Sequence, residues 1–311
     1  MKLSEYDGKF FKVKRDGSFE TLGFVQHQLS KPFLCFALSE RLLKIACDNP
    51  DVSCVICSEA LSENGELIDS GKGIAVSESA RIAFIYLHNF MVENNTEYNI
   101  GNFDTQVGTD CNIHPMASIA DRGVIIGNNV TIEEFVTVRQ GCKIGDNVII
   151  HAGAVIGAEG LNVYKDKNGH QIKFREVGQT YLAKDVEIGY HAIIAKGTLP
   201  NEATVIGENT YVDSLAVIGH ADKIGNNCSI FANALICGNT VLEDGVRVNP
   251  MAILKDSITV GKNAIITLGA VVVSNVSEGA RVTGNFAVEH SVFLAEYYQK
   301  LRNINMKKED I

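Results

Sequence analysis

The chain has 311 residues, 46% of them hydrophobic and 21% charged, with a formal net charge of −9; this is the balance of a soluble globular protein long enough for about two domains. The acidity excludes nucleic acid as the main partner, because phosphate binding needs a basic surface. No apolar run reaches the ~18–20 residues of a membrane-spanning helix, and "MKLSEYDGKFFKVKRDG" carries no signal-peptide core, so the expectation is a cytoplasmic protein without membrane insertion.

Residues 1–105 read as an α/β domain. Strand patterns occur in "KFFKVK", "PFLCFAL", "VSCVICSEA" and "KGIAVS", and helical ones in "SERLLKIACDN" and "ARIAFIYLHNFMVEN". Ser39 and Ser79 stand where helix caps are expected. The eight cysteines lie in apolar surroundings. Cys54 and Cys57 form one C-x-x-C inside a β-like run, which reads as buried reduced thiols rather than a redox or metal pair. "NNTEYNIGNFDTQVGTD" is a polar linker, and "CNIHPMASIA" opens a first, imperfect coil.

Residues 106–287 follow a period of six. Branched aliphatic residues recur at Ile126, Ile132, Val138, Ile144, Ile150 and Ile156. They resume at Leu182, Ile188 and Ile194, slip at Pro200, and run from Ile206 through Ile218, Ile236 and Leu254 to Val272. A helix needs a 3.6 period and a strand a period of two; six fits short strands joined by tight corners, the hexapeptide β-helix pattern. "IG-x-N" recurs at Ile126, Ile144, Ile206 and Ile224, and as "VGKN" at Val260. The spacing within each group makes three hexads one coil, with Gly and Asn at one corner because both tolerate positive φ. Stacked coils bury what one coil cannot.

Residues 158–181 break the period and read as a loop ejected from a coil, with a hairpin around "KDKNGH". Insertions in repeat folds map to the working face. Residues 288–311 read as an amphipathic C-terminal helix with a charged tail.

Among the histidines, His220 stands out within "VDSLAVIGH". His27, His88, His114 and His290 read as structural, and His151 and His191 as neighbours of interior positions that could approach a site. No His or Cys spacing supports a metal. An imidazole is suited to take a proton near neutral pH. It needs a partner on its other nitrogen, and Asp213 is the sequence-near candidate. Gly238 lies one coil beyond His220, where a bare backbone lets a carbonyl approach an amide donor for its oxyanion.

"VIGAEG", "VDSLAVIGH" and "KIGNN" resemble the UDP-3-O-acylglucosamine N-acyltransferases of lipid A synthesis, hexapeptide-repeat enzymes. That family carries a G-A-D-G turn, an ejected loop and a D-N-L-x-x-I-A-H stretch; the matches here are Gly157-Ala158-Glu159-Gly160, and Asp213-Ser214-Leu215 leading to His220. The resemblance implies a left-handed parallel β-helix with an N-terminal domain that holds the nucleotide. It also implies His220 as general base, Gly238 as oxyanion donor, and a homotrimer with sites between neighbouring prisms. Two departures count. Lys255-Asp256-Ser257 stands where the family has a second histidine. "VVVSNVSEGARVTGNFA" resembles the closing turn of acetyltransferases that use acyl-CoA, with Phe286 in place of their proline. The expected activity is therefore N-acyl transfer from acyl-CoA to a nucleotide-linked amino sugar for surface polysaccharide, with no permanently bound cofactor and with Lys255, Lys262 and Arg247 as candidates for the CoA phosphates. The alternatives are the lipid A N-acyltransferase itself, with an acyl-carrier-protein donor, and a non-catalytic β-helix scaffold.

Overall fold

The structure is a computed structural model describing residues 1–284 and 287–309, with side chains as far as residue 300. Phe286 and the end of the charged tail lie outside the described residues. The period of six becomes three stacks of two- to four-residue strands, paired in parallel. One interior column runs Ile144, Leu182, Ile206, Ile224, Leu242, Val260. A second runs Ile150, Ile188, Val212, Ile230, Val248, Ile266. The third runs Ile156, Ile194, Ile218, Ile236, Leu254, Val272. All belong to one continuous buried core, and each contributes about 1.5–3 kcal/mol of apolar burial. The result is a three-sided prism of the β-helix class. The strands before it begin earlier than the linker reading allowed: Gln106–Val107 already pairs with Ile125–Ile126.

The corners separate two jobs that the sequence reading gave jointly to Gly and Asn. Asn129, Asn147, Asn209, Asn227 and Asn263 all have positive φ, between 53° and 59°. The glycine of each motif does not need that freedom; it gives up its side chain so the next coil can stack. A Cβ on Gly225 would sit 2.7 Å from the Asp244 nitrogen, and one on Gly207 2.5 Å from the Gly225 carbonyl carbon. The asparagines also bond along the prism, Asn209 Nδ2 donating to Asn227 Oδ1 at 2.8 Å.

Two coils are enlarged at the same corner. Ile144 pairs with Leu182 instead of a residue eighteen further on, because the ejected loop intervenes. Its hairpin joins Val163–Lys165 to Gln171–Lys173. Leu182 then pairs with Ile206, six residues later than the repeat demands. The phase therefore does not slip at Pro200. Residues 196–202 form a short excursion that leaves the prism and returns in register.

The first hundred residues fold as a five-stranded sheet. In spatial order its strands are Lys12–Arg15, Gly73–Val76, Val52–Cys57, Phe33–Phe36 and Thr21–Leu22, the first antiparallel to its neighbour and the rest parallel. Helices cover it at Glu40–Asp48 and Ala80–Asn94. Ser39 caps the first, accepting from the Leu42 N–H; Ser79 makes no such bond. Cys54 and Cys57 are free, and burial pushes each thiol up to about 11.

This domain does not stand apart. Ile172 and Phe174 of the ejected loop and Leu199 of the short excursion share a core with Leu34, Phe84 and Leu87. His88 closes the joint. Its Nδ1 meets the Tyr98 hydroxyl at 2.8 Å and its Nε2 the Arg175 carbonyl at 2.9 Å. Burial lowers its pKa to about 4, so it remains a neutral structural histidine, as expected. The C-terminal helix spans His290–Glu309. Its described side chains, as far as residue 300, are exposed apart from a half-buried Leu294, so among the described residues it buries no face within one chain.

Candidate active site

His220 lies on the turn Gly219-His220-Ala221-Asp222, which leaves strand Val217–Ile218 and enters strand Lys223–Ile224. Ala221 takes φ of 58°, tightening the corner. Both enlarged coils open at this same corner, two and one turns before His220. Its imidazole rests directly on Gly238. A Cβ there would fall 2.5 Å from Nε2, 2.6 Å from Cδ2 and 2.7 Å from Cε1. Among the described residues, no group accepts from the Gly238 N–H. The turns are tied together by the Asn239 N–H, which donates to the His220 carbonyl at 2.8 Å.

The partner of the imidazole is Thr198, whose Oγ1 lies 3.3 Å from Nδ1. The tautomer that donates from Nδ1 to this hydroxyl leaves Nε2, above Gly238, as the basic nitrogen. Asp213 does not fill this role, a correction to the sequence reading. Its carboxylate accepts its neighbour's N–H, from Ser214 at 2.6 Å, and lines a cavity of about 350 Å³ with His151, Tyr190 and Phe231 at a different corner. The cause is geometric: seven residues of a hexapeptide coil carry the chain past one corner to the next. His191 occupies that other corner too, with φ of 54°.

The candidate phosphate binders separate for the same reason. Lys255 is exposed on the His220 corner, one coil beyond Gly238. Lys262 lies on the asparagine corner between Gly261 and Asn263. Arg247 lies over the Phe231 ring at 4.4 Å and bonds Asn249. Within one chain these three cations form no common site.

Several groups at the His220 corner escaped the sequence reading. Glu176, on the returning arm of the ejected loop, is 2% exposed. Its Oε2 accepts the Gly160 N–H at 2.6 Å, while Oε1 is buried without a partner. Burial raises its pKa. Lys196 is half-buried, and desolvation lowers its pKa. Both line a cavity of about 360 Å³ with Glu159, Arg175 and Asn99. Beyond the turn, a second cavity of about 390 Å³ is lined by Gln26, His27, Glu202, Ala221 and Asn239. There His27 Nε2 lies 3.3 Å from Glu202 Oε1, so His27, read as structural, sits beside the site. The clue was the interruption at Pro200: a lengthened corner in a strict repeat marks where side chains gather.

Fully buried Asp222 turns inward, its Oδ1 accepting the Thr240 N–H at 2.8 Å. Burial raises its pKa well above the usual carboxylate value. No cluster of three or more metal-ligating side chains occurs among the described residues. No helix there is long and apolar enough to cross a membrane.

The repeat family described as "Bacterial transferase hexapeptide (six repeats)" matches residues 123–158. A UDP-3-O-acylglucosamine N-acyltransferase of Coxiella burnetii is 35% identical over 184 residues, 52% of this chain and 53% of that protein. The enzyme of the same name from Rhizobium meliloti is 38% identical over 141 residues, 45% of this chain and 39% of that protein. A crystal structure of a UDP-N-acetylglucosamine acyltransferase from Bacteroides fragilis aligns with a TM-score of 0.49 at 23% identity, covering 57% of this chain and 66% of that one. The chain spans about half the length or less of these matched sequence relatives. The matched repeat, the coils it builds and the sequence likeness together make this chain a hexapeptide-repeat β-helix protein similar to the UDP-3-O-acylglucosamine N-acyltransferases.

Proposed function

We propose that the protein is an N-acyltransferase that moves an acyl group from a thioester to the amine of a nucleotide-linked amino sugar. The observation carrying this reading is the imidazole of His220 lying on Gly238, with Nε2 beside an unengaged backbone amide. In the proposed reaction the neutral amine attacks the thioester carbonyl while Nε2 takes its proton. The oxyanion accepts from the Gly238 N–H. Collapse breaks the C–S bond, and the imidazolium protonates the departing thiolate. Base and oxyanion donor would thus act on the two ends of one tetrahedral centre.

The relatives' names favour a UDP-linked 3-O-acylated glucosamine as acceptor over the generic amino sugar of the sequence reading. An acyl-CoA donor keeps its two supports in the sequence, Lys255-Asp256-Ser257 at the place of the second histidine and the closing turn "VVVSNVSEGARVTGNFA". The nucleotide would lie where the N-terminal domain meets the His220 corner, since cavities there are walled by both. A homotrimer is supported by an apolar ridge down the Asp213 corner. Phe135, Leu215 and Met251 are each more than half exposed there, and Tyr190 nearly so.

Purified protein offered UDP-glucosamine with and without a 3-O-acyl group, each with acyl-CoA or acyl-carrier protein, resolves this by mass spectrometry of the nucleotide sugar. N-acylated product in any pairing supports the reading, and the productive pairing names the donor. No product with any acceptor or thioester removes it.

A further inference from the structure

The ejected loop returns to the prism through Arg175-Glu176-Val177-Gly178, and this return is fastened to the turn that holds His220. The Val177 N–H donates to the Thr198 carbonyl at 3.0 Å and the Gly178 N–H to the Gly197 carbonyl at 2.8 Å. Thr198 in turn meets Nδ1 of His220. The backbone next to Glu176 is thus fastened to the residue that meets the imidazole. Its carboxyl group is among the few buried polar groups left half satisfied, with Oε1 unpartnered. Gly160 is part of the fit, since a Cβ there would lie 3.1 Å from both oxygens.

A buried, half-paired carboxyl is costly to keep, and a folded chain retains one where a charge of opposite sign appears during function. We infer that Glu176 is a positioning residue for the His220 site: its carboxylate stabilises the imidazolium that exists after His220 has taken a proton. The inference deepens the acyl-transfer reading and rests on it for its purpose, although the electrostatic link can be measured without any substrate.

Other charges do not supply this role. Glu159 and Lys173 are already paired with each other at 3.1 Å. Arg175 turns toward Glu93, at 3.7 Å. Lys196, the half-buried cation of the same cavity, donates to the Gln140 carbonyl. On the side of His220, Asp222 faces inward to Thr240, and Glu202 faces His27. Lys223 donates to the Ala203 carbonyl at 2.6 Å, and Lys255 and Asp256 are exposed one coil beyond Gly238. Asp222 also keeps a buried oxygen, Oδ2, without a partner; Asp222→Asn is therefore the control, which should leave the His220 titration unchanged while Glu176→Gln moves it.

The test is a titration of the full-length protein with ¹³C-labelled histidine, following the Cε1 signal of His220 identified by its loss in H220Q. Glu176→Gln keeps shape and the Gly160 contact but removes the charge. It should lower the pKa of His220 by about one pH unit, the low end of the effect of a nearby opposite charge, and Glu176→Asp should restore part of the shift. By reciprocity, H220Q should raise the pKa of the Glu176 carboxyl, read from its own ¹³C signal in otherwise wild-type protein. That second measurement decides the matter should Glu176→Gln fail to fold. A His220 titration unmoved or raised by Glu176→Gln, or a Glu176 signal indifferent to H220Q, overturns the inference. Where acyl transfer is observed, the acidic limb of kcat/KM should move with the same sign. Absent acyl transfer with the titration shift intact, the proposed reaction fails and the inference stands.

Discussion

Nε2 of His220 lies only 2.5 Å from where a Cβ on residue 238 would sit, so the imidazole can occupy its place only because that residue is glycine. Gly238 has no positive φ, so its backbone would accept alanine; the three atoms a Cβ would meet first all belong to the ring. Gly238→Ala should therefore fold normally and lower kcat/KM by about 10²-fold, the scale on which misplacing a catalytic group acts. Circular dichroism with steady-state kinetics checks both halves. Full activity in Gly238→Ala would remove the ring from the mechanism.

His220→Ala should leave the protein folded and lower turnover by about 10²–10⁴-fold, the usual worth of a general base. The structure adds a ranking of its supporters. Thr198→Val removes the hydroxyl on Nδ1 and should cost more turnover than Asp213→Asn, whose carboxylate serves another corner. The two variants assayed side by side at saturating substrate give the order directly.

His151 supplies a pH-dependent clamp. Its Nδ1 is 3.0 Å from Glu133 Oε1 and its Nε2 2.8 Å from Glu187 Oε1, so it bridges the coils on either side of the ejected loop. Burial opposes its charge, but the bonds to Glu187 and Glu133 outweigh that and raise its pKa. A raised pKa in the folded state means the contribution is fully present below the unfolded value, about 6.5, and is lost as pH rises through the folded value. The imidazole is half-buried and both carboxylates reach solvent, so screening limits the effect to about 1 kcal/mol or less. Thermal melts from pH 6 to 9 should show wild type losing about 2 °C relative to His151→Gln. Parallel curves for the two proteins would refute the clamp.

The asparagine corner separates backbone strain from stacking. Asn227→Ala keeps a Cβ at φ of 55° but loses the polar side chain that makes this conformation tolerable and that accepts from Asn209, and should destabilise by about 1–2 kcal/mol. Asn227→Gly should cost less. Gly225→Ala, with its Cβ 2.7 Å from backbone of the next coil, should cost more than either. Melting temperatures of the three variants give this order, and a mild Gly225→Ala would contradict the close stacking.

The exposed ridge at the Asp213 corner tests the assembly. Leu215→Asp paired with Phe135→Asp should convert the proposed trimer to smaller species in sedimentation velocity while preserving the far-ultraviolet spectrum. A wild-type protein that sediments as a monomer would end the proposal.

Much of the fold was legible because one rule repeats. Every aliphatic position in the six-residue series is buried, from Ile126 to Val272, and a polar residue at any of them would have lacked a partner. Gly238 followed from the same arithmetic, since residues eighteen apart stack. Asp213 was misplaced because proximity in sequence is not proximity in a coil: seven residues span a corner. Thr198 and Glu176 were illegible because both lie where the repeat stops, and their positions depend on how the loop and the short excursion pack against the first domain. Pattern carries no information about that packing. The burial of Cys54 and Cys57 was legible because their apolar context already fixes it.

Phe174 is wedged against Phe84 at 6.3 Å, edge to face, while the same loop two residues later carries Glu176. The insertion is therefore a strut and not a flap: it is anchored in one body and delivers a charge to another. Loosening the aromatic packing around Phe84 should then register as altered proton affinity at an imidazole in the other body, so inactivating substitutions are to be sought among residues that never meet a substrate.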